Sequence, residues 1–141
     1  MKKNVSIKLI SKQSDGEQSD KLELFTEGVF KFTKDNYEIS YSETEATGFE
    51  GAVTKLSVID GSRITMTRSE PAQSNLIIEM GKKHHCHYGT PYGEFMVGVT
   101  AKDIESNMTE KGGTLGFRYV IDVNSGYVGD FEIDIDVKPL N

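Results

Sequence analysis

The 141-residue chain reads as an all-β protein: a single domain over 1–141, folded as an antiparallel, mostly up-and-down closed barrel of about eight to ten strands. Three observations lead there. Nearly every legible segment alternates apolar and polar residues with period two, the signature of a half-buried strand. Turn chemistry (Asp15-Gly16, Asp60-Gly61, Gly112-Gly113, Asn124-Ser125-Gly126 and others) cuts the chain into runs of strand length. The connections are too short for the crossovers that parallel strands need, so neighbours pair antiparallel. Closure removes the long edges an open sheet of this size would expose; a two-layer sandwich is the alternative that the same pattern allows.

Taken in order, the inward positions are these. Val5, Ile7 and Leu9 mark the first strand; Ser6 and Lys8 interrupt any apolar run, so the basic start is a strand and not a signal peptide. Leu22, Leu24, Thr26, Gly28, Phe30 and Phe32 mark a long second strand, with Gly28 permitting a bend. Tyr37, Ile39, Tyr41 and Glu43 line the third, then Thr54, Leu56 and Val58, then Ile64, Met66 and Arg68. Leu76, Ile78 and Met80 follow, then Phe95, Val97 and Val99, then Leu115, Phe117, Tyr119 and Ile121. Phe131, Ile133, Ile135 and Val137 close the series, with Asp130, Glu132, Asp134 and Asp136 on the opposite face as a solvated stripe that discourages edge pairing. This predicts nine strands or so. Residues 101–111 fit least well, because Ile104 and Met108 also match one turn of helix.

Composition bounds the function. Sixteen basic against twenty-two acidic residues give a net charge of −6, which repels phosphate backbones and anionic lipid, so neither nucleic acid nor a membrane is an expected partner. No apolar stretch approaches the roughly 20 residues of a membrane helix. The lone Cys86 cannot form an internal disulfide, and a reducing cytoplasm is the expected location. Nothing in the pattern sets an oligomeric state.

Tyr41, Glu43, Arg68 and Tyr119 are the candidate site, because each stands in phase with apolar neighbours. A carboxylate and a guanidinium inside a barrel need partners, since an unpaired buried charge costs several kcal/mol. Strands two apart lie about 9–10 Å from each other, so the two groups can meet as a structural ion pair. Alternatively Arg68 receives the acid group of a ligand in a pocket shaped by the tyrosines. General acid/base work by Glu43 is the third reading. Tyr88-Gly89-Thr90-Pro91-Tyr92-Gly93 reads as a rigid turn whose tyrosines could line the barrel mouth. That adds Tyr88, Thr90 and Tyr92 to the ligand-binding candidates.

His84-His85-Cys86-His87 suggests a metal, but on a strand His84 and Cys86 face one way while His85 and His87 face the other. No second His or Cys cluster completes a site, so neither metal nor cofactor is expected, and the segment reads as polar with one buried thiol. Phosphate-cradling loops and nucleophile elbows are absent from the sequence, and no catalytic residue is assigned.

Thr26-Glu27-Gly28, Tyr41-Ser42-Glu43, Thr47-Gly48 through Gly51, Arg68, Tyr88-Gly89-Thr90-Pro91-Tyr92-Gly93 and Tyr119 occur in an order that resembles the YwiB-like family of small bacterial β-barrels. That resemblance spans most of the chain and implies a lipocalin-like or calycin-like closed barrel in a bacterial cytoplasm, without an assigned activity. It transfers no catalytic residue, and the histidine cluster is not part of it. The sequence thus predicts a non-enzymatic barrel holding a small, partly apolar ligand, any anionic group of which would sit near Arg68. A protein-interaction module with a solid core, and an enzyme using Glu43 or a tyrosine, are the competing readings.

Overall fold

Among the residues described by the computed structural model (2–34, 36–44, 50–69, 73–90 and 93–140, with only the backbone of Thr90), ten strands follow one another around a closed ring. They are β1 (Lys2–Ser14), β2 (Ser19–Phe32), β3 (Asn36–Ser42), β4 (Val53–Ile59) and β5 (Arg63–Arg68). β6 (Ser74–Glu79), β7 (Lys83–Thr90), β8 (Gly93–Thr109), β9 (Gly112–Val123) and β10 (Gly126–Pro139) complete the set. Each pairs antiparallel with its neighbours in sequence, and β1 closes the ring on β10 from Val5↔Pro139 to Ser14↔Asp130. No described helix is long and apolar enough to cross a membrane.

Alternation places the core as the sequence predicts. Val5, Ile7, Phe30, Ile39, Leu56 and Phe117 are among the residues removed from solvent. Local turn chemistry sets the register between strands. Asn124 and Ser125 form a two-residue loop with φ of 52° and 68°, the paired positive angles of a type I′ hairpin.

The strand that the sequence pattern conceals is β7. Its inward side chains are Cys86 and Tyr88 rather than aliphatics, and His84 in the same phase turns to Glu79, so residue type hides its period of two. The ambiguity at 101–111 is resolved as strand, and a bulge between Ala101 and Asp103 explains it. Inward positions are odd-numbered before the bulge (Val97, Val99, Ala101) and even-numbered after it (Ile104, Met108), so one continuous alternation does not exist. Phe95 and Met80, expected inside, are 48% and 46% exposed. Phe95 has the right phase but stands at the rim where β8 begins, and Met80 lies one residue past β6. The acidic stripe of β10 guards no edge, because β10 is paired on both sides. Its acids meet cations instead: Arg118 to Glu132 at 3.0 Å, Lys12 to Glu132 at 3.8 Å and Lys102 to Asp130 at 3.4 Å.

The two ends of the barrel differ. At the end holding the β2–β3 and β8–β9 connections, Phe30, Phe32 and Tyr37 pack with ring centroids 5.9–6.3 Å apart. The Tyr37 hydroxyl shares a 2.6 Å hydrogen bond with Ser106 across the interior, and the lumen is solid there. At the opposite end, where β1 meets β2, the interior is hollow.

Gly28 is where β2 and β3 come closest. A Cβ built there would overlap the Ser40 carbonyl oxygen and lie 2.7 Å from Ile7 Cδ1. Backbone cannot retreat as a flexible side chain can, so Gly28→Ala should cost about 1–3 kcal/mol. A lowered urea midpoint at unchanged slope is the expected result in equilibrium unfolding.

Candidate functional site

A polar row crosses the wall of the hollow end in strict register. Gly28 pairs with Tyr41, Tyr41 with Thr54, Thr54 with Arg68, and Arg68 with Ser74. Positions paired across neighbouring strands share a face, so the side chains of this row all point into the lumen. Glu43 stands just beyond β3, its backbone N–H bound to the Ala52 carbonyl at 2.8 Å, which carries the row one step further. Tyr41, Glu43, Thr54, Arg68 and Ser74, together with Tyr88 and Tyr119, line a cavity of about 420 Å³. The opposite wall and floor carry Leu9, Leu22, Leu24, Phe131 and Ile133, with Ser11, Gln13, Asp20 and Lys21 among them on β1 and β2.

Each charge has a defined setting. Glu43 is only 9% exposed, and the Thr54 hydroxyl donates to its Oε1 at 2.6 Å. The Tyr41 phenol lies beside this carboxylate, whose charge helps to raise its pKa after burial. Arg68 Nη2 donates to Ser74 Oγ at 2.9 Å and to the Gly89 carbonyl at 2.7 Å, and the guanidinium lies 5.8 Å from the Tyr88 ring centre. The ion pairs of the described residues do not include one between Glu43 and Arg68. The expected direct pair is replaced by two separate polar anchors. Thr54 stands between Tyr41 and Arg68 and donates to Glu43, while Ser74, on the far side of Arg68, accepts from the guanidinium.

Of the site residues predicted from sequence, Tyr41, Glu43, Arg68, Tyr88 and Tyr119 therefore meet in one cavity. Thr90 belongs to β7 with its side chain outside the described atoms, and Tyr92 lies outside the described residues. Thr54, Ser74 and Phe131 join them without having been expected at the site. The signal for the first two is the one that marks Tyr41: a polar residue in phase with buried neighbours, here Leu56 and Leu76.

The β6–β7 wall beside Arg68 is unusual. Its register is limited to Asn75↔His87, with a bridge between Glu79 and Lys82 at the turn. Side chains take over the missing ladder. The Ile77 N–H donates to Cys86 Sγ at 3.3 Å, and the Gly89 N–H donates to Ser74 Oγ at 3.1 Å. Burial raises the Cys86 thiol pKa, holding it neutral. The neighbouring histidines point elsewhere: His84 meets Glu79 at 2.9 Å, and His87 meets Glu94 at 3.3 Å. Among the described residues no group of three or more His, Cys, Asp or Glu converges as metal ligands would.

A second hollow, about 520 Å³, lies against the outer wall between Lys12, Lys102, Arg118, Asp130 and Glu132. It shares Gln13, Asp20, Lys21 and Phe131 with the cavity, and the charged side chains of its outer part already pair with one another in solvent. Such pairs are worth little and build no enclosed site.

A closed antiparallel barrel, solid at one end and hollow with a polar row at the other, belongs to the class of small cavity-bearing β-barrels. The family model described as "Domain of unknown function (DUF1934)" matches residues 7–135, and the chain belongs to that family. Among solved structures, the chain is similar to the crystal structure of ywiB protein from Bacillus subtilis. The TM-score is 0.84 at 18% sequence identity, over 99% of this chain and 94% of that one. At that identity the likeness establishes the fold alone. No curated protein matches the chain.

Burial, and then the Glu43 carboxylate, push the Tyr41 phenol well above its ordinary value of 10; burial does the same to Tyr119. A raised folded-state pKa stabilises the fold below the unfolded value, near pH 10, and that stability is lost as pH rises above it. Tyrosinate absorbance of the folded protein should therefore show these two phenols silent through about pH 11. The urea midpoint should fall as pH climbs past about 10, and less steeply in Tyr119→Phe.

Proposed function

We propose that this barrel is a non-enzymatic binding protein that holds a small, partly apolar ligand in its hollow end, with an anionic group of the ligand directed at Arg68. The observation that carries this reading is the division of the lumen into a packed half and a cavity of about 420 Å³. Pockets for small molecules are of this size, largely apolar, and equipped with a few fixed polar groups. Arg68 is fixed in that sense, because Ser74 and Gly89 hold one of its terminal nitrogens and Tyr88 flanks its plane. Buried Glu43 and the hydroxyls of Tyr41, Thr54 and Ser74 beside Arg68 supply fixed polar groups for specificity. The lone Cys86 supports a reducing, cytoplasmic setting.

A second reading rests on a different observation. Phe95, Met96, Tyr127 and Val128 are exposed where β8 and β10 begin, at the hollow end. An apolar rim of this kind supports a protein-interaction role, in which the mouth is a contact surface.

Native mass spectrometry of protein purified from its own host separates the two. The expected result is a retained small molecule on the wild type that is lost from Arg68→Met, with both proteins folded by circular dichroism. Bare mass on the wild type, with a co-purifying protein in place of a small molecule, would overturn the binding reading in favour of the rim.

A further inference from the structure

The cavity is short. On β1 it runs from Leu9 to Gln13, four residue steps, or about 13 Å along the strand. Strand tilt in a barrel makes its height less than that. Beneath it the lumen is filled: Phe30, Leu56, Phe117 and Ile135 are essentially excluded from solvent. An extended acyl chain of more than about eight carbons would meet this floor.

One aromatic column leads into that space. Phe117 stacks on Tyr119 with centroids 5.9 Å apart and planes 18° from parallel. Tyr119 stacks in turn on Phe131 at 5.2 Å and 10°. Phe131 is the end of the column, half-buried, and lines the cavity. On its other side its register partner is Gln13, which lines the cavity too. A parallel column ending at a cavity extends most favourably by one more flat ring, since offset stacking adds attraction beyond burial.

Across the lumen stands Arg68, whose guanidinium carries its N–H donors in a single plane. Holding Nη2 on Ser74 and Gly89 fixes the position of this positive charge on the cavity wall, where a ligand carboxylate would be attracted to it. Building on the binding role proposed above, we infer that the ligand class is a compact planar aromatic acid of one or two fused rings. Its ring lies against Phe131 and its carboxylate on Arg68.

Isothermal titration of the full chain with naphthoate, decanoate and naphthylmethanol tests this. Naphthoate should bind about tenfold or more tighter than either of the others. Phe131→Leu should lose about tenfold for naphthoate with little change for decanoate, and Phe131→Tyr should restore it. Decanoate binding as tightly as naphthoate would overturn the aromatic assignment and leave the small-ligand reading standing. Equal binding of naphthylmethanol and naphthoate would overturn the carboxylate assignment at Arg68. Failure of all three probes overturns the aromatic-acid class, and the retained mass from host-purified protein then decides whether any small-ligand role survives. Should Phe131→Leu fail to fold, the ranking of the three probes on the wild type still supports or overturns the aromatic acid.

Discussion

Pairing of the first strand with the last is the constraint on which everything else in this molecule rests. β1 and β10 join the two ends of the chain over ten residue pairs, and only that junction turns a sheet into a tube with an inside. The row from Tyr41 to Ser74 has a lumen to face because the ring is shut. Glu43 can be buried because a curved wall brings Thr54 and Tyr41 to it. The cost is kinetic. Partners such as Val5 and Pro139 lie at opposite ends of the sequence, so the decisive contact carries the largest loop-closure entropy in the fold.

Within the closed ring, side-chain size decides where matter ends and space begins. At the packed end, phenylalanine, tyrosine and branched aliphatics fill the width, and Tyr37 reaches across to Ser106. At the hollow end the row includes Thr54 and Ser74, residues too short to reach the axis. Their hydroxyls are taken up by the longer polar groups beside them, and the volume they leave is the cavity. Two functions thus share one tube. The filled half supplies the stability, and the half built of short and polar side chains carries the chemistry at some expense to packing.

Much of the fold was legible because burial on one face forces a period of two, and β1 to β6, β9 and β10 display it openly. β7 was hidden by its composition, since histidine, cysteine and tyrosine at His84, Cys86 and Tyr88 do not announce an inward face. β8 was half hidden by its bulge, which shifts the phase between Ala101 and Ile104 in a way no local window can follow. The polar members Tyr41, Glu43, Arg68 and Tyr119 were visible as breaks in an apolar stripe. How they are joined was not, because register between strands is a property of pairing and not of any single segment. Only register shows that Thr54 separates Tyr41 from Arg68, which turns an expected ion pair into two independent anchors. Phe131 read simply as core, as its neighbours Ile135 and Val137 are, and its place at the end of an aromatic column is a property of two adjacent strands together.

The thin junction between β6 and β7 gives the tube a weak seam beside its guanidinium. Elsewhere neighbouring strands are laced by carbonyls and amides that no substitution can remove. Here a thiol and a serine hydroxyl do the lacing, so the cohesion of this stretch is genetically editable. Local opening tracks the least protected amides of a fold. This stretch is accordingly where the cylinder parts first, and such parting lies next to the cavity and far from the packed end. The same atoms that hold Arg68 in place also govern how readily the wall alongside it breathes.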